Sequence, residues 1–473
     1  MTQHEDAPRL VFNPWVLLVA GLLLACVPFV APLFRNALIA LAIAAVVLAP
    51  LPGGTRGVVA AVMTGLATGI ASVNLFAVGI FQGPITQEFG WSQTEYSFVI
   101  IVGTIVTVVS SLYIGKLFDR DGVRRWAIAC IVLFAVALIS LYWLTPNLWH
   151  FYGVFALMPL IGAGTSSVAY SRVVARWFDR RRGQAFGAAL AGIGIGGAVL
   201  ASGTQYLIGA VGWRGAYVGL GLLSLLVTLP LVIWKLRDDP SDVGLGADGE
   251  RVAVARGAGE ALVEPPPLLG YTAVETRRQG RFWQMLFAFL LLSFGIGGVM
   301  IPLVPILRAS GVPAEDAAVV LGALGLALIV GRAFAGFLMD RMFAPYVAAA
   351  ILVFPIIGVT LLATGAQGPL AIVAAVCIGL AAGAELDVIA VLITRYFGNL
   401  AYAENYGWQY AAWTLGSGSA VLVTNMVYDR LGTHTPALWM YVGFFAVSAV
   451  LVLRMGPYPQ LPVAGSRQGA NTP

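Results

Sequence analysis

The sequence predicts an all-α polytopic membrane protein of fourteen spans: an extra N-terminal two-helix hairpin, then a twelve-helix core made of two six-helix halves. Three observations carry this expectation. Of 473 residues, 59% are hydrophobic and only 10% are charged, where soluble domains average about 45–50% and about 25%, so lipid rather than water must cover the exterior. Apolar runs of roughly 17–25 residues, enough to cross a hydrocarbon core of about 30 Å, follow one another along almost the whole chain. Short motifs of the first half also recur in the second at a nearly constant offset. A soluble globule, a disordered chain and a nucleic-acid binder are excluded by the same composition. The formal charge of +5, from 27 Lys and Arg against 22 Asp and Glu, matters less than where those charges fall.

In order, the runs are 14–34, 36–52, 57–82, 94–115, 125–145, 149–172, 184–208, 215–235, 282–306, 316–338, 344–365, 368–394, 406–427 and 435–455. The first is read as a span and not as a secretory signal. Its leader holds Glu5 and Asp6 where a signal peptide is positive, and its apolar stretch exceeds a usual signal core. The string Leu24-Ala25-Cys26 is of a kind that arises freely in such spans and is not read as a lipoprotein site. Cys26, Cys130 and Cys377 lie singly inside apolar runs, as small hydrophobes and not a disulfide or metal set. In the span 184–208, Gly192, Gly194, Gly196 and Gly197 allow a neighbouring helix to approach closely.

The repeat divides the core. Gly115-Lys116-Leu117-Phe118-Asp119-Arg120 returns as Gly336-Phe337-Leu338-Met339-Asp340-Arg341, and Arg176-Trp177-Phe178 returns at nearly the same offset as Arg395-Tyr396-Phe397. The resulting units are residues 1–56 (leader and hairpin), 57–235 (first half), 236–281 (linker), 282–455 (second half) and 456–473 (tail). Two parallel halves with a path between them are an architecture of secondary transporters. Lys116, Arg120, Arg124, Arg125, Arg176, Arg180, Arg181, Arg182, Arg341 and Arg395 all fall in loops on one side. The bias of basic loops toward the cytoplasm then places both termini and the linker inside a cell membrane.

Charge inside hydrocarbon is costly and usually functional, and few residues qualify. Counting back from Asp340 at 1.5 Å per residue puts Arg332 roughly 12 Å inside the core, and counting from Arg395 puts Glu385 roughly 15 Å inside. In the repeat the first half has Ser111 in place of Arg332, and Ser166 and Val168 in place of Glu385 and Asp387. Leu328 and Gly336 flank Arg332 one turn away, so no neighbour on its own helix neutralises it. A planar guanidinium that cannot deprotonate is suited to gripping a carboxylate bidentately; an ion pair across the bundle is the alternative. Glu385 and Asp387 stand about 200° apart around their helix, so they face different surroundings, and either can carry a coupled proton if desolvated. Asp119, Arg120, Arg124, Asp340 and Arg341 are candidates for a charge lock on the inner face. His4, His150 and His434 form no metal or catalytic set, so no cofactor and no enzyme activity are expected.

The loop Gly115-Lys116-Leu117-Phe118-Asp119-Arg120-Asp121-Gly122-Val123-Arg124-Arg125 resembles the helix 2 to helix 3 signature of the major facilitator superfamily. Phe89-Gly90-Trp91-Ser92, the segment Tyr170 to Gly183, and Gly383-Ala384-Glu385-Leu386-Asp387 with Arg395-Tyr396-Phe397-Gly398 resemble its monocarboxylate transporter group, with bacterial oxalate/formate exchanger relatives. The resemblance covers about residues 57–455. It implies that Arg332 binds the substrate carboxylate and that Tyr170 lines the cavity. The chain departs from the animal proton-coupled members, which carry an Asp where Leu328 stands and a Lys on core helix 1; Glu385 or Asp387 would have to serve instead. It departs from oxalate exchangers at Trp413, close to where they have a Lys, and a single central cation favours a monoanion. Asn74 and Trp413 complete the candidate substrate site. The expectation is secondary transport of a small organic anion, a monocarboxylate, with a proton and the bilayer as partners. The rivals are efflux, or anion exchange, of another metabolite or drug class by the same fold. Nothing in the sequence says whether the N-terminal hairpin docks a partner protein.

Overall fold

The computed structural model describes residues 41–73, 77–250 and 269–463. Among these the chain is helical throughout, with isolated β-bridges only at Leu269–Val463 and Gly270–Gly398. The first predicted span lies outside the described residues, and in the described part of the second residues 41–48 form a helix. Arg56 ties its end to the core by donating from Nε to the Leu51 carbonyl at 2.8 Å and from Nη2 to that of Ala49 at 2.7 Å. This satisfies carbonyls that a helix C-terminus leaves free.

The helices that follow are α1 (Arg56–Thr68), α2 (Val78–Phe89), α3 (Gln93–Asp121), α4 (Arg124–Ser140), α5 (Leu148–Ile161), α6 (Ser167–Trp177), α7 (Arg182–Leu223) and α8 (Leu229–Lys235). After the linker come α9 (Ala273–Arg278), α10 (Gly280–Met300), α11 (Leu303–Ala309), α12 (Ala314–Met339), α13 (Ala344–Ala363), α14 (Pro369–Tyr396), α15 (Tyr402–Leu431) and α16 (Thr435–Leu453). Eight helices among the described residues are long and apolar enough to cross a membrane, one of them running through α7 and α8. Within that one, Gly212 adopts φ 74° and ψ 169°, reversing the chain where the sequence predicts the loop 209–214. Polar caps carry several helices past the apolar runs: a Ser92–Glu95 capping box starts α3 and left-handed Gly432 ends α15, giving them 29 and 30 residues.

Two predicted spans are broken instead of continuous. Residues 57–82 divide into α1 and α2, and 149–172 into α5 and α6, with a 3₁₀ turn at Ala163–Thr165. The breaks face each other. The Ile70 amide donates to Thr165 Oγ1 at 3.2 Å, and Thr165 Oγ1 donates to the Gly162 carbonyl at 2.7 Å. Glycine is required here: a methyl group at Gly164 would stand 2.8 Å from the Trp126 carbonyl oxygen, and one at Gly69 would stand 2.6 Å from that of Thr165. Hydrophobicity counts apolar residues and cannot see such an interruption. It is tolerated in hydrocarbon because neighbouring helices re-satisfy the freed amides.

The halves meet as a wedge. At the Arg-rich end, α7 crosses α12 and α3 crosses α15 with glycine against backbone: Gly183 abuts the Gly336 carbonyl, and Gly115 abuts that of Ala403. One turn along, a methyl at Gly187 would lie 2.9 Å from the Arg332 carbonyl oxygen; at Gly194 the nearest atom, on Ile329, would be 3.8 Å away; Gly322 and Gly325 of α12 have open space within 4 Å. The second crossing opens likewise, from Gly407 against the Ser111 carbonyl through 3.1 Å at Gly418 and Thr104 to open space at Gly103. Contact between the halves is tight at the Arg-rich end and is lost toward the other.

Candidate functional site

Arg332 lies on α12 at the level where the wedge begins to open. It is 8% exposed, and its Nη1 is 3.7 Å from Oδ1 of Asp387 on α14, which is fully buried. That distance makes an ion pair but not a hydrogen bond. Arg332 Nη1 and both Asp387 carboxylate oxygens have no hydrogen-bond partner among the described residues. A desolvated charge pair left this open is costly.

Glu385 points elsewhere, as its i, i+2 spacing from Asp387 on one helix requires. It borders a small cavity with Phe289, Leu292, Ala348, Ile351, Leu352, Ala381, Val388 and Val452, so its walls come from α10, α13, α14 and α16. Trp413 of α15 lies beside it, and neither Glu385 Oε2 nor Trp413 Nε1 has a hydrogen-bond partner among the described residues. Trp413 stacks on Tyr410 (centroids 5.5 Å apart), Tyr410 on Tyr406 (6.3 Å), and Tyr406 on Tyr402 (5.8 Å), all within 22° of parallel. Tyr406 lies within electrostatic reach of both Asp387 and Arg332. This ladder is visible in the sequence as aromatics at i, i+4, i+8 and i+11, but only the packing shows that they share one inward face.

Tyr170 is placed with α1 and not with Arg332: it is fully buried, and its hydroxyl presses on the space beside Gly65. That hydroxyl has no hydrogen-bond partner among the described residues. Asn74 lies outside the described residues. Arg172 is buried like Arg332, yet its Nε donates to Asp119 Oδ1 at 3.0 Å and its Nη2 to the Asp119 carbonyl at 3.3 Å, with Asp238 3.8 Å away.

The inner-face candidates divide. Asp119 at the end of α3 also accepts from the amides of Ala403 (3.1 Å) and Glu404 (2.9 Å) at the start of α15. Asp340 at the end of α12 accepts from those of Gly183 (2.6 Å) and Gln184 (3.0 Å) at the start of α7. Each repeat copy therefore anchors the other half by placing a carboxylate on a helix N-terminus, where free N–H groups and the helix dipole favour an anion. Burial pushes the Asp340 carboxyl up to about 6, against the pull of those two amides. The arginines stand apart from this. Arg120 pairs with its neighbour Asp121 at 2.7 Å, Arg124 donates to the Ile233 carbonyl at 3.0 Å, and Arg341 lies over the Phe337 ring of its own helix. Sequence reasoning missed the linker acids. Asp238 accepts from the Val123 amide at 2.5 Å, Asp239 grips Arg176 with both oxygens at 2.6 and 3.0 Å, and Asp248 accepts from the Arg180 amide at 2.9 Å.

Apolar helices long enough to cross a membrane, packed closely at the Arg-rich end, with a buried open-valence charge pair between α12 and α14, are the features of a multi-pass membrane transporter. The family model of the Major Facilitator Superfamily matches residues 64–421, and the chain belongs to that superfamily, whose members are transporters and not enzymes. Within it, the similarity is to the monocarboxylate transporter-like group. Monocarboxylate transporter 12 of Rattus norvegicus is 29% identical over 279 residues, 55% of each chain, so the match spans about half the length of that relative. Monocarboxylate transporter 13 of Bos taurus is 24% identical over 386 residues, 81% of this chain and 85% of that protein. Among solved structures, the Escherichia coli fucose:proton symporter FucP superimposes with a TM-score of 0.63 at 14% identity, covering 84% of this chain and 98% of that one. The human organic anion transporter MFSD10 gives 0.61 at 15% identity, covering 85% and 100%. At these identities the structures speak for the fold alone.

Proposed function

We propose that the chain moves a small organic anion, a monocarboxylate, across a cell membrane by alternating access with proton symport. The core is twelve spans in two halves of six behind an N-terminal hairpin, with both termini and the linker in the cytoplasm; the Arg-rich end is then the inner face and the wedge opens outward. Arg332 binds the carboxylate, with Trp413, Tyr170 and Asn74 contributing to the substrate path. The observation that carries this reading is the guanidinium itself: buried, 3.7 Å from Asp387 and with Nη1 free of any hydrogen bond among the described residues. A carboxylate between the two partners would complete Arg332, and protonation of Asp387 would remove the competing charge. That is a coupling in which anion and proton enter together. Glu385, alone in its apolar cavity, is the other carboxylate able to carry the proton. The Asp119 and Asp340 anchors hold the inner face shut and must part for release.

The test is uptake of labelled monocarboxylates into proteoliposomes at about pH 6 outside and about 7.5 inside, a gradient that drives a coupled proton inward. The expected result is accumulation that needs the gradient and disappears in Arg332→Ala. Equal flux in the variant contradicts the anion site, and gradient-independent exchange contradicts symport.

A further inference from the structure

We infer that the carried anion has an aromatic or similarly planar body, and that Tyr410 and Trp413 are the residues that select it. This rests on the reading of Arg332 as the carboxylate site and names the substrate class for that site.

The argument starts from depth. α15 begins at Tyr402 beside the inner anchor, where Phe186 of α7 lies nearly parallel at 6.3 Å and closes the lower end of the ladder. Eight residues further, Tyr410 stands roughly 12 Å up the helix, and Trp413 roughly 16 Å. Arg332 and Asp387 each precede the Arg-rich end of their helices by eight residues (Asp340 and Arg395), so they also lie roughly 12 Å up. Tyr406 is thus just below the charge pair, Tyr410 level with it and Trp413 one step above, where the wedge opens. A carboxylate held on Arg332 with its body pointing up the opening meets the upper two rings of the ladder.

The chemistry of that wall is selective. The neighbouring rungs are stacked and tilted by no more than 22°, so Tyr410 and Trp413 present aromatic edges and not a rounded aliphatic pocket. Flat rings gain from offset or edge contact with another ring beyond simple burial. Trp413 is partly exposed, with its Nε1 turned toward Glu385. Elsewhere on α15, Gly407 is committed to α3 and Gly416 to α10, and above Trp413 the ladder face closes where Ser417 meets Gly297 of α10.

The experiment is competition by benzoate and by hexanoate, similar in size and charge, against uptake of a labelled monocarboxylate in proteoliposomes. Wild type, Tyr410→Leu, Tyr410→Phe, Trp413→Leu and Arg332→Ala are compared, each checked for monodispersity. One good ring contact supports a preference of about tenfold for benzoate in the wild type. That ratio should fall toward one in both leucine variants and persist in Tyr410→Phe. An equal affinity for the two acids in the wild type, or an undiminished ratio in the leucine variants, overturns the inference while the anion site stands. Uptake that survives in Arg332→Ala overturns the anion site and this inference with it. If a leucine variant is not monodisperse, the wild-type ratio and the other variant decide.

Discussion

Arg172 and Arg332 are both buried toward the Arg-rich end of the helices, and their surroundings bind them to different degrees. Arg172 has two of its three nitrogens bound: Asp119 takes its Nε and Nη2, while its Nη1 stands 3.8 Å from Asp238 of the linker without a hydrogen-bond partner among the described residues. Arg332 of the second half has a single carboxylate at 3.7 Å and an unpartnered Nη1. Burial and charge are the same, so neither identifies function. An unpartnered Nη1 is common to both as well; what sets Arg172 apart is its two hydrogen bonds to Asp119, which help repay its desolvation.

The comparison can be broken most sharply at the arginines. Arg332→Ala should lower uptake by at least about a hundredfold, because it removes a charge-assisted contact from a buried site; Arg332→Lys should recover only part, since a point charge cannot fork. Arg172→Ala should instead cost stability, about 3–5 kcal/mol, by stranding buried Asp119, and leave the affinity of the remaining folded protein unchanged. Thermal unfolding beside uptake separates the two.

The anchors give a smaller, paired effect. Asp119→Asn strips Arg172 as well as the α15 amides and should destabilise the inner seal more than Asp340→Asn, which weakens only two amide contacts worth about 1 kcal/mol together with the helix dipole. Labelling of a cysteine introduced at Lys116 reports the opening. The smallest expected effect is in pH. In the closed seal the Asp340 carboxyl sits up to about 6, above its value when exposed to water. The sealed form therefore binds more protons, and acidification from about pH 7 toward 4 should favour it, a slope that is reduced in Asp340→Asn. Labelling that increases on acidification contradicts the assignment.

Much of this was legible in the sequence. The repeat located Asp119 and Asp340, and the depth count from Asp340 found Arg332 because charge is so rare in these spans. The i, i+2 spacing of Glu385 and Asp387 on one helix separated their surroundings before any packing was known. What the sequence concealed were partners chosen by tertiary approach. Nothing near Asp340 says that its ligands are backbone amides of Gly183 and Gln184, 157 and 156 residues away, and nothing near Arg176 points to Asp239 in the linker. The inner arginines were expected to form the lock and instead serve local contacts, because backbone N–H groups at a helix start outcompete a mobile surface side chain. The breaks at Gly69 and Gly162–Thr165 were hidden because helical hydropathy continues through them.

The central claim is that Arg332, and not Arg172, receives the anion. The most direct measurement is the shift in unfolding temperature caused by a transported monocarboxylate at about 100 times its dissociation constant, which linkage equates with about 2.7 kcal/mol of stabilisation. The account predicts that this shift persists in Arg172→Lys from a lower starting temperature and is strongly reduced in Arg332→Lys. A shift preserved in Arg332→Lys and lost in Arg172→Lys would contradict it.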